Sequence, residues 1–337
     1  MPGSSKGAIV LTTINSPTEA VRELAKLKDE WPMIVVGDNK TPPDWAYPGV
    51  EFLSMASQAG LGYSLGPLLP ENHYCRKNLG YLRAIESGVE IIAETDDDNV
   101  PYRWDLSAVD RRVKGQLVRT DTWVNVYQYF TEEKIWPRGY PLDLVLQPAL
   151  DAAGPVGTWT STVQQFLASG DPDVDAVYRL TVGKDDHRYR EATIILDVGT
   201  ITPFNSQSTV WFRESFAYLY LPSFVSFRMT DIWRSFVAQV CLWKSADRLS
   251  YHSEGVWQDR NAHNLLRDFA DETVGYLRND EIVTALRGLE LAGSPGENLL
   301  ECYQMLNSIG IVPDQELPLV EAWLADLEMV MAGQDAG

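Results

Sequence analysis

Short, unbroken apolar runs alternate with stretches in which apolar residues recur every three or four positions over the first hundred residues of this chain. Residues 8–14 (AIVLTTI) form a continuous β-branched run, the pattern of a strand buried on both faces. Ser16-Pro17-Thr18-Glu19 follows with capping-box spacing, which predicts Ser16 as the N-cap, Pro17 at the first helical position and Glu19 at the third. Val21, Leu24 and Leu27 then fall on one helical stripe. Further strands are predicted over 33–36, ending in the turn Gly37-Asp38, and over 50–53. A helix is predicted over 76–87, with Leu79, Leu82 and Ile85 on one face and Gly88 as its stop. A fourth strand over 89–93 runs into Glu94-Thr95-Asp96-Asp97-Asp98-Asn99. Such alternation implies an α/β fold with a doubly wound sheet, whose ligands gather at the carboxyl ends of the strands. Beyond residue 100 the pattern loosens. Pro- and Gly-rich loops are predicted at 136–141 and 154–157, a strand pair near 193–198, and helices over 233–243, 260–277, 281–291 and 317–331. There is no internal repeat.

Composition narrows the classes. The chain has 337 residues, enough for one large α/β domain or two smaller ones, and its 45% hydrophobic content marks a globular protein. Eleven tryptophans could include rings that grip sugars, although most are expected in the core. No apolar run reaches the roughly eighteen residues of a membrane span, and the N-terminus lacks a secretory pattern, so a cytoplasmic location is expected. Cys75, Cys241 and Cys302 lie far apart in sequence and predict neither a disulfide framework nor a zinc site. A net charge of −19 argues against nucleic acid as a partner. From Asp271 onward 13 acidic residues face 2 arginines, which reads as a solvated helical face.

Three consecutive aspartates at the end of a central strand are the strongest chemical signal. Side chains alternate along a strand, so Asp96 and Asp98 should share one side and Asp97 take the other. Two carboxylates on one side can hold Mn²⁺ or Mg²⁺, whose remaining ligands would come from substrate phosphates. Such an ion would neutralise charge on a departing diphosphate. Asp97 is then free for a ribose hydroxyl or a cation. Arg76 and Lys77, ahead of the preceding helix, are predicted phosphate contacts.

The segment HYCRKNLGYLRAIESGVEIIAETDDDN, with TTINSPTEAVREL and IVVGDNKTP before it, resembles the STELLO family of glycosyltransferase-like proteins. The later segments WVNVYQYFTEEKIWPRGYPL, DPDVDAVYRL, FNSQSTVWF, RMTDIWRSFVAQ and DRNAHNLLRDFADETVGYL resemble it too, so the likeness runs from about 8 to 280. The order of motifs is also similar to that of the reversibly glycosylated polypeptides, the UDP-arabinopyranose mutases. In those the acidic triplet is followed by Cys, where this chain has Asn99.

The resemblance implies a glycosyltransferase A type fold: a Rossmann-like mixed sheet flanked by helices, here with a helical C-terminal extension. A catalytic domain over 1–270 and an acidic helical extension over 271–337 are expected. It implies a nucleotide-diphosphate sugar donor and an unknown acceptor, glycan or small molecule. Thr12, Thr13 and Asn15 after the first strand and Asp38 after the second would line the nucleoside pocket. Asp96 and Asp98 would bind metal, and Asp97 would bind ribose or metal.

Arg138, in WPRGYP, falls where the mutase-type family carries a glycosylated arginine, and Asp231, in DIW, where an acid would face the sugar. As a diphosphate clamp Arg138 needs only its charge; as a covalent carrier it needs strong activation. Asp231 reads as a general base or a helix cap. A pyranose–furanose mutase and a non-catalytic regulator acting through the acidic tail are the alternatives to a transferase. Among weaker candidates, His252 and His263 could complete a metal site, and His73 reads as a loop residue. Trp211, Trp233 and Trp257 are more readily core than sugar platforms. Cys75, beside Arg76, could have a lowered pKa.

Overall fold

In the computed structural model, residues 6–148, 150, 152–183, 186–245, 247–260 and 264–335 are described. The first half runs β1 (Gly7–Thr12), α1 (Glu19–Leu24), β2 (Met33–Val36), β3 (Val50–Leu53), α2 (Met55–Ala59), α3 (Lys77–Glu86), β4 (Ile91–Thr95), β5 (Asn99–Pro101) and β6 (Arg112–Val118). The second runs β7 (Ala153–Gly170), α4 (Ala176–Thr181), β8 (Thr193–Leu196), β9 (Ser208–Phe212), α5 (Thr230–Leu242), β10 (Arg248–Gln258), α6 (Leu265–Arg287), α7 (Pro295–Ser308) and α8 (Glu316–Asp335).

The described strands form one mixed sheet in the order β3-β2-β1-β4-β9-β7-β6-β8-β10-β5. β1 lies parallel to β2 and β4, and β2 parallel to β3, so the predicted doubly wound unit is present. β9 then joins β4 antiparallel, and β10 pairs with β7 as well as β8, closing β7, β6, β8 and β10 on themselves.

Alternation along β1 explains why its whole run is apolar. Ile9 and Leu11 pack with Val21 and Leu24 of α1, while Ala8 and Val10 pack with Leu79, Leu82 and Ile85 of α3 on the opposite face. Gly80 lets α3 come down close: a Cβ there would lie 2.7 Å from both Val10 Cγ1 and Val36 Cγ2.

Several predicted boundaries move. Thr18, not Ser16, caps α1, accepting a hydrogen bond from Val21 N in extended conformation. β4 begins two residues later than expected, which brings Glu94 and Thr95 into the strand. The Gly- and Pro-rich stretch at 154–157 is not a loop but the start of the long strand β7. The helices predicted over 260–277 and 281–291 are one continuous helix, α6, which crosses residue 270 without a break.

α7 and α8 are not a solvated appendage. Trp323 of α8 is fully buried in the same core as α3 and α5, and its indole donates to Ala217 O at 3.0 Å. Three of the acids expected to be solvated are buried anchors. Glu316 accepts from Ser223 N and Phe224 N, Asp326 from Ser64 N and Leu65 N, and Glu272 from Ala176 N. Two of the three cysteines meet after all: Cys241 on α5 and Cys302 on α7 place their sulfurs 3.7 Å apart. No described helix is long and apolar enough to cross a membrane.

Candidate functional site

A cleft of about 640 Å³ opens at the carboxyl ends of β1, β2 and β4, where parallel strands bring chemistry together. Its walls include Thr12, Thr13, Asn15, Asp38, Arg76, the 96–98 triplet, Arg138 and Asp231. Lys77, a predicted phosphate contact, does not line it and lies wholly buried beside Asp96.

Glu94 sets the base of the triplet. Fully buried at the centre of the sheet, it accepts from Trp211 Nε1 (2.7 Å), from Arg234 through both of its terminal nitrogens (2.9 and 2.7 Å) and from the Tyr81 hydroxyl. A carboxylate so fully satisfied fixes β4 two residues before the site. Lys77 Nζ donates to Asp96 Oδ1 at 2.8 Å, to Thr95 O at 2.9 Å and to Ser206 O at 3.4 Å, spending its three donors. It steadies Asp96 instead of reaching a phosphate.

The triplet lies in the turn beyond β4, so strand alternation does not separate its side chains and all three line the cleft. Asp97 accepts from the Thr13 hydroxyl and from Asn15 Nδ2 at 3.0 Å. Asp98 is different. Its Oδ2 faces Gln258 Nε2 at 3.4 Å, and its buried Oδ1 has no hydrogen-bond partner among the described residues. Burial, with Asp96 and Asp97 beside it, pushes its carboxyl up to about 7. Burial also raises the Asp96 carboxyl, against the pull of Lys77. Among the described residues no cationic side chain forms an ion pair with Asp98, and an all-oxygen donor set suits a hard divalent ion. Among the described residues no three His, Cys, Asp or Glu side chains converge to hold a metal unaided. Any ion at Asp96 and Asp98 would need ligands from substrate or water.

Asp38 is a loop anchor. Its oxygens accept from Asn39 N, Asn72 N and His73 N at 2.7–3.0 Å, drawing the 72–74 loop over the cleft. His73 accepts from Cys75 N through Nδ1, so its Nε2 carries the proton in the neutral ring. Burial lowers its pKa to about 4. It stacks on Tyr74 (5.4 Å), and Phe227 meets both rings edge-on.

Arg76 lies beneath this loop, donating to Gln58 Oε1 at 2.6 Å and to Leu69 O at 3.2 Å. Those bonds tie down the expected phosphate contact. Cys75 is fully buried and its thiol is pushed up to about 12, the reverse of the predicted lowering, because desolvation outweighs Arg76.

Arg138 and Asp231 are bonded to each other, together with a partner the sequence reading missed. Arg138 Nε and Nη2 hold Asp173 at 2.7–3.1 Å, while Nη1 and Nη2 hold Asp231 at 3.0 and 2.9 Å. The Arg228 carbonyl takes the fifth N–H. Burial disfavours its charge, yet the two carboxylates more than offset this and raise its pKa well above the ordinary value. That is the opposite of the activation a covalent carrier needs, and no donor is left for a clamp.

Asp231 sits in the first turn of α5 without capping it. It also accepts from the Tyr74 hydroxyl (3.2 Å), Ile232 N (3.0 Å) and Ser206 N (3.3 Å). Gly139 makes the turn after Arg138 possible, with φ at +89° and Ile232 Cγ2 2.5 Å from where a Cβ would stand.

The signal for Asp173 was the alternating DPDVD, whose three acids each have a task. Asp171 pairs with Arg179, Asp173 with Arg138, and Asp175 caps α4. Arg228 and Arg260, also unassigned from sequence, line the cleft beside them.

His252 lies outside the cleft, stacked on Phe166 at 4.6 Å and bonded to Ser250 at 2.9 Å. His263 lies outside the described residues. Trp211 and Trp233 are core, as predicted, and Trp257 stands under Arg188 away from the cleft.

The family model of the STELLO glycosyltransferases matches residues 228–332. Two Arabidopsis thaliana proteins, probable glycosyltransferases STELLO2 and STELLO1, are each 29% identical to the chain over 343 aligned residues. The alignments take in 96% and 95% of this chain. The chain is similar to the STELLO glycosyltransferases. It spans 44% of the length of either plant protein. A solved structure described as that of a mycobacterial protein aligns over 92% of this chain and 76% of its own, at 11% identity and a TM-score of 0.42.

The STELLO match begins at Arg228 and takes in Asp231, Arg234, Arg260, α6, α7 and most of α8. Because the alignments to the curated relatives leave out so little of the chain, the acidic triplet and Arg138 also fall within aligned sequence. Both halves of the cleft therefore lie within aligned sequence.

Proposed function

We propose that this chain transfers a glycosyl group from a nucleotide-diphosphate sugar bound in the cleft, with Mn²⁺ or Mg²⁺ at Asp96 and Asp98. The observation that carries the reading is the buried Asp98 Oδ1, which has no hydrogen-bond partner among the described residues and stands in a cleft at the carboxyl ends of parallel strands. Kinship with the STELLO glycosyltransferases supports the same class. A divalent ion there would stabilise the negative charge that grows on the leaving diphosphate.

In this reading Asp96, oriented by Lys77, and Asp98 supply the carboxylate oxygens. Asp97 ties Thr13 and Asn15 to the floor of the nucleoside end, and Asp38 holds the loop bearing His73 and Tyr74 over it. The bond from the anomeric carbon to the diphosphate oxygen breaks as an acceptor hydroxyl bonds to that carbon and passes its proton to the departing diphosphate. Asp231 already receives donors from Arg138, Tyr74, Ser206 and Ile232, which favours a positioning role over that of a free base. Arg138 and Asp173 brace it from behind.

The test is calorimetry and product chromatography of the purified chain with UDP-, GDP- and dTDP-sugars and Mn²⁺. Metal-dependent binding of at least one donor is expected, with sugar transfer or slow hydrolysis. Asp98→Asn should lose the metal dependence and most of the turnover. Failure of the wild-type chain to bind any donor would sink the reading, and ring isomerisation without transfer would replace it with the mutase.

A further inference from the structure

Four arginines cluster against Asp171, Asp173, Asp231 and Glu272, and of them Arg138, Arg228 and Arg260 line the cleft. Three are closely paired. Arg138 bridges Asp173 and Asp231, Arg179 pairs with Asp171 and donates to Pro172 O at 2.7 Å, and Arg228 holds Glu272 at 2.7 Å. Arg260 has only Asp173 Oδ1 at 3.9 Å, and that carboxylate is already taken by Arg138 and by Asn205 Nδ2.

The Arg260 side chain is 8% exposed, and its buried Nε and Nη1 have no hydrogen-bond partner among the described residues. A buried guanidinium with unmet donors is costly, so its persistence points to a counter-ion that arrives from outside. Burial, then Arg228 and Arg179, pull its pKa down to about 10, which leaves it charged at neutral pH. Arg260 follows β10 two residues after Gln258, whose side chain reaches Asp98. The N-terminal turn of α6 lines the same wall and adds a favourable dipole for an anion. Arg267, which lines the same stretch, is paired with Asp271, so capture falls to direct contact with Arg260.

We propose that Arg260 is the oxyanion-binding residue of the cleft and that the diphosphate of the nucleotide donor is its counter-ion. The assignment rests on the nucleotide-sugar reading above and moves the role of diphosphate clamp from Arg138, Arg76 and Lys77. A carboxylate on the sugar or the acceptor has the same chemistry, and the probes separate the two sources.

The full chain with Mn²⁺ is titrated by calorimetry with inorganic pyrophosphate, UDP, uridine and glucuronate, as wild type and as Arg260→Met, Arg260→Gln and Arg260→Lys. Arg260→Met and Arg260→Gln should each weaken pyrophosphate and UDP at least tenfold and leave uridine unchanged, with Arg260→Lys in between. Without ligand, Arg260→Met should melt no lower than wild type, since it removes a buried charge with unmet donors whose one ionic partner, Asp173, keeps Arg138. Unchanged pyrophosphate binding by Arg260→Gln would overturn the proposal while the donor reading stands. Loss confined to glucuronate would overturn it in favour of an anionic sugar or acceptor. A wild-type chain that binds neither pyrophosphate nor any nucleotide sugar would overturn both.

Discussion

At the scale of single residues, the cleft is organised by carboxylates, and what separates them is their partners. Asp97, Asp173 and Asp231 are satisfied by neutral or cationic donors, whereas Asp98 keeps a bare oxygen. Burial works against Asp173, but Arg138, helped by Arg228 and Arg260, holds its carboxyl below the usual range. The sign of this pair is testable. Asp173 binds its proton more weakly folded than unfolded, so its contribution to stability is present above the unfolded pKa and lost as pH falls below it. Arg138→Met removes the shared guanidinium and leaves two carboxylates buried together, which should cost on the order of 3–5 kcal/mol at neutral pH. Denaturant unfolding at pH 7 and pH 4 checks it, with a smaller loss at the lower pH. An equal loss at both would show that the cost is packing and not charge.

At the scale of elements, the sequence announced the parallel unit because its signals were local. The β-branched run 8–14, the stripe of Leu79, Leu82 and Ile85, and acids after a strand each report on a neighbourhood of a few residues. What it hid depends on distant contacts. Glu94 reads as a polar strand residue until Arg234, 140 positions away, is seen paired with it. The 154–157 stretch reads as a loop because nothing near it reveals that β6 pairs along it. Asp173 belongs to the site through Arg138, and Arg260 through Asp173, contacts that no spacing encodes.

α4 is a case in which an element depends on such contacts. At six residues it is too short to stand alone, and it is held by Asp175 at its cap and by Glu272 on Ala176 N. Burial raises the Asp175 carboxyl to about 6. The folded chain therefore holds that proton more tightly than the unfolded one, and stability falls as pH rises from about 4 to about 6. Asp175→Asn should flatten that portion of the curve by up to about 3 kcal/mol, at 1.36 kcal/mol per pKa unit. The difference between wild-type and variant unfolding free energies across pH 4–7 is the measurement, because Asp173 slopes the other way in both. A difference that does not change with pH would refute the assignment.

At the scale of the whole molecule, the acidic C-terminal helices are part of the scaffold that builds the cleft. Glu316 at the start of α8 anchors the 220–224 segment, which leads to Phe227, Arg228 and the first turn of α5 with Asp231. Asp326 holds Ser64 and Leu65 on the way to the His73–Tyr74 loop. Glu272 in α6 holds Arg228 directly. Charge that looks from composition like a device for solubility is thus partly spent inside, on backbone N–H groups that loops leave unpaired. The consequence is cooperative unfolding. Trp323 packs against Tyr220 and donates to Ala217, so Trp323→Ala should cost about 3–5 kcal/mol, as for other buried large-to-small changes. That loss should lower a single calorimetric transition, with calorimetric and van't Hoff enthalpies in agreement. If α7 and α8 were an independent unit, the variant would instead split off an early transition, leaving the main one and donor binding in the cleft untouched.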